Sequence, residues 1–247
     1  MKKILEIAVD SVEGAIIAQA NGADRLELCS GLELGGITPS AGLMQQARNA
    51  VSIPIFALIR PRSGDFLYSD TEFEVIMADV LEAKRQNING VVIGFLTENG
   101  AIDVEKTKTI CKLAYPMEVT FHRAFDLCKN PVLALEEIFE AGCNRLLTSG
   151  QASSALDGVD LISKLVLQAK NRITILAGAG VRPNNVKEII DQSGVLEVHT
   201  TAKTMVESAM KYRKSGVNMG NNSFNEFSIA AVDGEMVKKM REIIDKI

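Results

Sequence analysis

Ile4-Leu-Glu-Ile-Ala-Val-Asp10 alternates large aliphatic side chains with charged or small ones, and that alternation decides the fold. Successive side chains of a β-strand point to opposite faces, so Leu5, Ile7 and Val9 share one face while Glu6, Ala8 and Asp10 share the other. Seven more short aliphatic runs follow, at residues 25–29, 55–59, 91–96, 119–121, 145–148, 173–177 and 195–199, and amphipathic helical stretches separate them. Helix starts are legible at Thr38-Pro39-Ser40, Ser69-Asp-Thr-Glu72, Asn130-Pro131 and Arg182-Pro183, and Gly22 and Gly142 close two helices. Eight strand-helix units predict a TIM-type (β/α)8 barrel, one domain over residues 1–247. An open doubly wound sheet is the rival, but it usually carries a glycine-rich turn after its first strand, and Val9-Asp-Ser-Val-Glu13 has none. A polar stretch from Tyr212 to Phe227, rich in Asn, Ser and Gly, reads as a long loop before a last helix at residues 233–247; a lid or subunit contact and a plain excursion are equal readings of it.

Composition narrows the function. Of 247 residues 47% are hydrophobic and 23% charged, with a net charge of −4, and no run of Lys and Arg marks a nucleic-acid face. No apolar run approaches the ~18 residues of a membrane span. Met1-Lys-Lys-Ile-Leu-Glu-Ile7 meets Glu6 and Asp10 before an apolar core forms, so it does not read as a signal peptide, and a cytoplasmic protein is expected. Cys29, Cys111, Cys128 and Cys143 have no CxxC spacing, which fits reduced thiols.

Strand parity predicts a charged barrel interior. With Leu5, Leu26, Val119 and Leu196 facing the helices, the interior receives Glu6, Glu27, Cys29, Thr120, His122, Glu197 and His199. Three glutamates converging on one wall need cations, protons or water. Arg60, at the end of strand 3, is the expected counter-cation, with Arg62 extending over the same mouth. An ion-pair network that only fills the barrel is the plainer reading, but packing is normally met by aliphatic layers that avoid the cost of burying ions. The only two histidines, His122 and His199, both stand where a strand gives way to a loop, at the end where barrels work. Glu27 or His122 is a candidate general base, and Asp126 either orients His122 or pairs with Arg123. Ser149 is a candidate substrate hydrogen-bond partner. After strands 7 and 8, Gly178, Gly180, Thr200 and Thr201 mark the position where barrels often hold a phosphate on backbone N–H groups and a short helix.

Several long segments together, Asp10-Ser-Val-Glu13, Gly22-Ala-Asp-Arg-Leu-Glu-Leu-Cys-Ser-Gly-Leu32, Gly35-Gly-Ile-Thr-Pro-Ser40, Ile59-Arg-Pro-Arg-Ser-Gly-Asp-Phe-Leu-Tyr-Ser69, Thr120-Phe-His-Arg-Ala-Phe-Asp126 and Leu147-Thr-Ser-Gly150, resemble the CutC family over nearly the whole chain. The resemblance implies a cytoplasmic TIM barrel tied to copper homeostasis that binds copper as Cu(I) and forms homo-oligomers, dimers or tetramers. Relatives often carry Cys where this chain has Ala8, and Ser or Cys where it has Thr200, so soft ligands are fewer here. Cu(I) prefers sulfur, which leaves Cys29, with Cys128 or a histidine beside it, as its expected ligands. Cys111 and Cys143 read as packing residues, and Met236 and Met240 as one helix's core stripe.

Two hypotheses follow. One is a copper-binding homeostasis protein. The other is a barrel enzyme, of unassigned reaction, that acts on a small anionic or phosphorylated metabolite at the strand C-terminal face. In the second, Glu27, Arg60, His122, Asp126 and His199 form the catalytic group, and Glu6, Arg62, Arg123, Ser149 and the glycine and threonine loops bind the ligand.

Overall fold

Eight parallel strands close on themselves in sequence order: β1 (Ile4–Val9), β2 (Arg25–Leu28), β3 (Ile55–Leu58), β4 (Gly90–Ile93), β5 (Glu118–Phe121), β6 (Arg145–Thr148), β7 (Thr174–Ala177) and β8 (Glu197–Thr200). This computed structural model describes residues 2–214, 216 and 225–247. Seven helices connect the strands: α1 (Val12–Ala20), α2 (Ala41–Ala50), α3 (Asp70–Arg85), α4 (Val104–Ala114), α5 (Pro131–Glu140), α6 (Val159–Ala169) and α7 (Val186–Ser193). An eighth, α8 (Gly234–Ile244), packs last around the ring.

Register settles parity. Glu6 pairs with Arg25 and with His199, and Ala8 pairs with Glu27, so these residues lie side by side on the inner wall. The outer faces supply Leu5, Ile7, Leu26, Ile55, Val91, Phe121 and Leu146 to one apolar core, which they share with helix residues such as Met44, Ile76, Ile110, Leu135, Ile162 and Met240. A fully buried aliphatic side chain of this kind contributes about 2 kcal/mol, so the layer between barrel and helices holds the fold together. Cys29, Phe56, Leu58 and Val92 form a separate apolar cluster on the inner parity.

Local chemistry fixes the helix starts. Ser40 caps α2 by accepting the Leu43 N–H, Ser69 and Glu72 form a reciprocal capping box on α3, and Asn130 with Pro131 opens α5. Gly22 and Gly142, just past α1 and α5, have φ of +98° and +102°, which a side chain would strain.

Three expectations are corrected. Strand 4 ends at Ile93 instead of residue 96, because Gly94 leaves the ladder beside the His122 ring. The helix after β7 starts at Val186, with Arg182-Pro183 in the preceding turn, where the Asn185 side chain accepts the Arg182 N–H. The segment after β8 is more than a loop: β9 (Lys203–Glu207) and β10 (Ser228–Val232) pair antiparallel, with Met205 and Ile229 exposed. The polar stretch expected from Tyr212 to Phe227 lies partly outside the described residues.

Candidate active site

The inner wall carries three carboxylates and two guanidiniums. Arg25, the first residue of β2, binds Glu6 through Nε and Glu197 through Nη2 at 2.5 Å. Arg145, the first residue of β6, reaches the same Glu197 oxygen at 2.7 Å through Nε, and Glu118 at 3.2 Å. Both guanidiniums lie 5.1 Å from the centre of the Phe56 ring, which fills the barrel's lower end. Gly90 makes room for that ring, since a Cβ there would sit 2.6 Å from it. The counter-cations are therefore Arg25 and Arg145, not Arg60. Both stand on the inner parity, Arg25 two residues before Glu27 and Arg145 two before Leu147, a signal the sequence reading passed over.

Arg60 does other work. Its guanidinium donates to the carbonyls of Leu34, Gly36 and Gly64 at 2.9 to 3.1 Å and lies 5.2 Å from the Phe66 ring centre, bracing two mouth loops. Arg62 turns away from the mouth to Glu72 at 2.5 Å and Asp65 at 3.1 Å.

Glu27 is the carboxylate without an arginine. It is 7% exposed, and its nearest ionic neighbour is Nε2 of His199 at 3.8 Å. Burial raises its carboxyl to about 7, an effect the Glu6 charge reinforces and the His199 charge opposes. His199 is anchored from behind, with Nδ1 2.7 Å from Glu6. Burial alone would lower its imidazole, but Glu27 and Glu6 together raise it above its ordinary value. Glu6 itself, although buried, is held far below the usual carboxylate range by Arg25 and His199. Ionised Glu6 therefore accepts a hydrogen bond from Nδ1–H of His199 and leaves Nε2 turned to Glu27, as a carboxylate orients an imidazole. With Glu118 half in solvent, the three buried carboxylates against two guanidiniums leave one charge over, which a single proton shared by Glu27 and His199 neutralises.

These two residues lie on a cavity of about 240 Å³ at the strand C-terminal end. Its wall includes Ala8, Arg60, Phe66, His122, Arg123, Gly180, Arg182, Thr200 and Thr201. Nδ1 of His122 accepts the Ala124 N–H at 3.1 Å, so the neutral ring carries its proton on Nε2. Burial, with Arg60 adding, pushes this imidazole down to about 3, and Nε2 has no partner among the described residues. His122 is thus a neutral hydrogen-bond donor at pH 7, which removes it as a general base.

Other candidates are placed elsewhere. Asp126 accepts from Arg123 at 2.7 Å, Thr148 at 2.5 Å, the hydroxyl of Ser149 at 2.8 Å and two backbone N–H groups. It clamps the β5 and β6 loops together and does not line the cavity; of the two roles expected for it, pairing with Arg123 is the one observed. Ser149 belongs to the same clamp. Gly178 makes room for Leu147, which a Cβ would approach to 2.5 Å. Thr200 donates to the Val181 carbonyl at 2.8 Å and ties β8 to the β7 loop. No short helix follows β8, because the chain turns into β9. Arg182, not anticipated as a site residue, also lines the cavity; its place in the loop after β7 was the available signal.

Sulfur is kept apart from this chemistry. The Cys29 thiol is fully buried and donates to the Val9 carbonyl at 3.6 Å, and burial pushes it well above its ordinary value. Cys128, pushed up to about 11 by burial, lines a different cavity with Ile102 and Leu133. The two expected sulfur ligands of Cu(I) are not on the mouth cavity. Glu6, Glu27 and His199 each offer a ligand atom, all within 4.8 Å of one another, and they form the one such group among the described residues. Two carboxylates and an imidazole are harder donors than Cu(I) prefers, so the residues present do not fit that ion.

Comparison with known proteins gives the family. The model of the CutC family matches residues 3–204. A Chromobacterium violaceum protein named as family protein CutC is 47% identical over 246 residues, covering 100% of both chains. The human copper homeostasis protein cutC homolog is 46% identical over 245 residues, covering 99% of this chain and 90% of the human one. A crystal structure of the Streptococcus agalactiae protein assigned as copper homeostasis protein CutC superposes with a TM-score of 0.77 at 29% identity, covering 81% of this chain and 98% of that one. Phosphoribosylanthranilate isomerase from Thermotoga maritima, at 13% identity and a TM-score of 0.59 over 100% of both chains, shares the fold alone. With its family model matched over most of its length and relatives named for copper homeostasis at nearly half identity, the chain belongs to the CutC family.

Proposed function

We propose that this chain is an enzyme that moves a proton on a small anionic molecule seated in the barrel mouth. The observation that carries the reading is Glu27, a buried carboxyl with no arginine, 3.8 Å from a histidine whose far nitrogen is fixed by Glu6. Its carboxyl, raised to about 7, suits an acid that must also serve as a base at neutral pH. His199 carries the proton at Nε2, Glu27 exchanges it, and Nε2–H of His122 donates to an oxygen on which charge develops. The test is a thermal-shift screen of small phosphorylated and carboxylated metabolites, followed by NMR detection of solvent deuterium entering each stabilising compound. Exchange that disappears in Glu27→Gln while binding persists supports the reading; ligands that bind and never exchange overturn it.

Copper handling is the second reading, supported by the name of the human relative. In it the protein binds Cu(I) in the cytoplasm, with Cys29 and Cys128 as the available sulfur. An anaerobic Cu(I) titration against a high-affinity chelator, with Cys29→Ser beside the wild type, separates the two. Stoichiometric binding lost in the variant establishes copper as cargo; binding no tighter than that of an exposed thiol removes it. A homo-oligomer, dimer or tetramer, belongs to either reading and is supported by the exposed Met205, Val206 and Ile229 of the hairpin; sedimentation velocity tests it.

A further inference from the structure

The mouth cavity has two parts of different chemistry. Glu27 and His199 reach it from strands β2 and β8, and the turn after β7 with Thr201, just past β8, reaches it from the loops that follow. Three guanidiniums line the cavity against a single carboxylate, Glu27. Arg123 is taken by Asp126 and Ser149, and both terminal nitrogens of Arg60 are taken by loop carbonyls, although its Nε has no partner among the described residues. Arg182 is different. Its Nη1 meets only the Met236 sulfur, a weak acceptor, at 3.3 Å, and no carboxylate pairs with it among the described residues. A half-buried guanidinium whose only close acceptor is a thioether keeps most of its donors free for an anion in the cavity.

The backbone beside Arg182 is arranged to the same end. Ala179 and Gly180 take φ of +80° and +67° in succession, a turn that a non-glycine residue enters only at a cost. The Thr200 hydroxyl fastens this turn to β8 through the Val181 carbonyl. Gly180, Val181 and Thr201 all line the cavity, and their N–H groups, like the Thr201 hydroxyl, have no acceptor among the described residues. A fork of guanidinium donors, three backbone N–H groups and one hydroxyl exceed what the two in-plane oxygens of a carboxylate accept. A tetrahedral group with three terminal oxygens matches them.

We propose that Arg182, with the backbone of Gly180, Val181 and Thr201, forms a seat for the phosphate of a phosphomonoester, and that this phosphate holds the substrate's reacting end against Glu27 and His199. The inference rests on the proton-transfer reading above and names its substrate class. Arg182 determines specificity and takes no part in the proton transfer.

The experiment is a calorimetric titration of the full-length protein with inorganic phosphate at pH 7, with acetate as the comparison anion. Binding near 1 mM is expected, as for a fragment that supplies only part of a substrate's contacts. Arg182→Met weakens it at least tenfold and Arg182→Lys by less, whereas Arg172→Met, a surface guanidinium paired with Glu136, leaves it unchanged. Circular dichroism on each variant confirms that it is folded. No heat up to about 20 mM phosphate, equal affinity in Arg182→Met, or acetate binding as tightly as phosphate each overturns the seat. Failure of the proton-transfer reading looks different: phosphate binds through Arg182, yet no bound phosphomonoester exchanges with solvent deuterium.

Discussion

Glu27 and His199 face each other across 3.8 Å, in a barrel where every other inward glutamate is bound by an arginine. The two therefore share the one proton that balances the interior. Because the chain has only two histidines, proton NMR resolves them without labelling. His199 titrates above 6.5, whereas His122, lowered to about 3, stays neutral across the folded range. In Glu27→Gln the His199 midpoint falls, since the largest influence raising it has been removed. Two histidines titrating together near 6.5 would contradict this arrangement.

Stability depends on pH through the same pair. Glu27 is raised from 4.5 to about 7 on folding, so between those values the folded state holds a proton that the unfolded chain has released, and stability falls as pH rises. His199, also raised, extends the decline beyond pH 6.5. Glu6, held low, acts oppositely: its contribution is present above about 4.5 and is lost on acidification. Urea denaturation should thus show greatest stability near pH 5 to 6, with a loss of roughly 1–3 kcal/mol by pH 8 that Glu27→Gln reduces.

Removing Arg25 takes from buried Glu6 its one arginine and from buried Glu197 one of two. Arg25→Met should destabilise the protein by about 3–5 kcal/mol, far more than loss of the exposed Lys187–Asp191 pair, at roughly 0–1 kcal/mol. Chemical denaturation of both variants gives the contrast. If Arg25→Met cost no more than the surface pair, the interior network would not be holding these charges.

Cys111 and Cys143 stand 3.7 Å apart, sulfur to sulfur, between α4 and the approach to β6. The hydrogen bond between them lowers the half-buried Cys111 and raises the buried Cys143. With Cys29 and Cys128 both raised by burial, Cys111 should be the first thiol alkylated by iodoacetamide at pH 7.5, as read by peptide mass spectrometry. Earlier modification of Cys29 would mean that the barrel interior opens far more than its packing indicates.

Strand order, strand parity and the barrel were legible because burial imposes a period of two on every strand, and Glu6, Glu27, His122 and His199 fell inward as that period requires. What the pattern hid were pairings made across the barrel. Arg25 and Arg145 open their strands and look like solvent-facing ends in one dimension, yet they are 6% and 7% exposed. Arg60 and Arg62 looked like the counter-charges because they follow the strand end, but loop carbonyls and Glu72 claim them. Asp126 could be assigned only after its acceptors were seen filled by the β6 loop. The β9–β10 hairpin was missed because its exposed strands bury no regular stripe.

Phe56, 3% exposed, is packed between Arg25 and Arg145 near the starts of their strands, and the cavity that Glu27 and His199 line lies at the other end. A substrate lodged in the mouth becomes the stopper as well as the reactant, and while it stays, the shared proton has nowhere to go except onto the substrate and back. Deuterium trapped by rapid dilution of the loaded protein would then pass to the substrate in preference to bulk water, a direct-return signature that an open-ended barrel could not give.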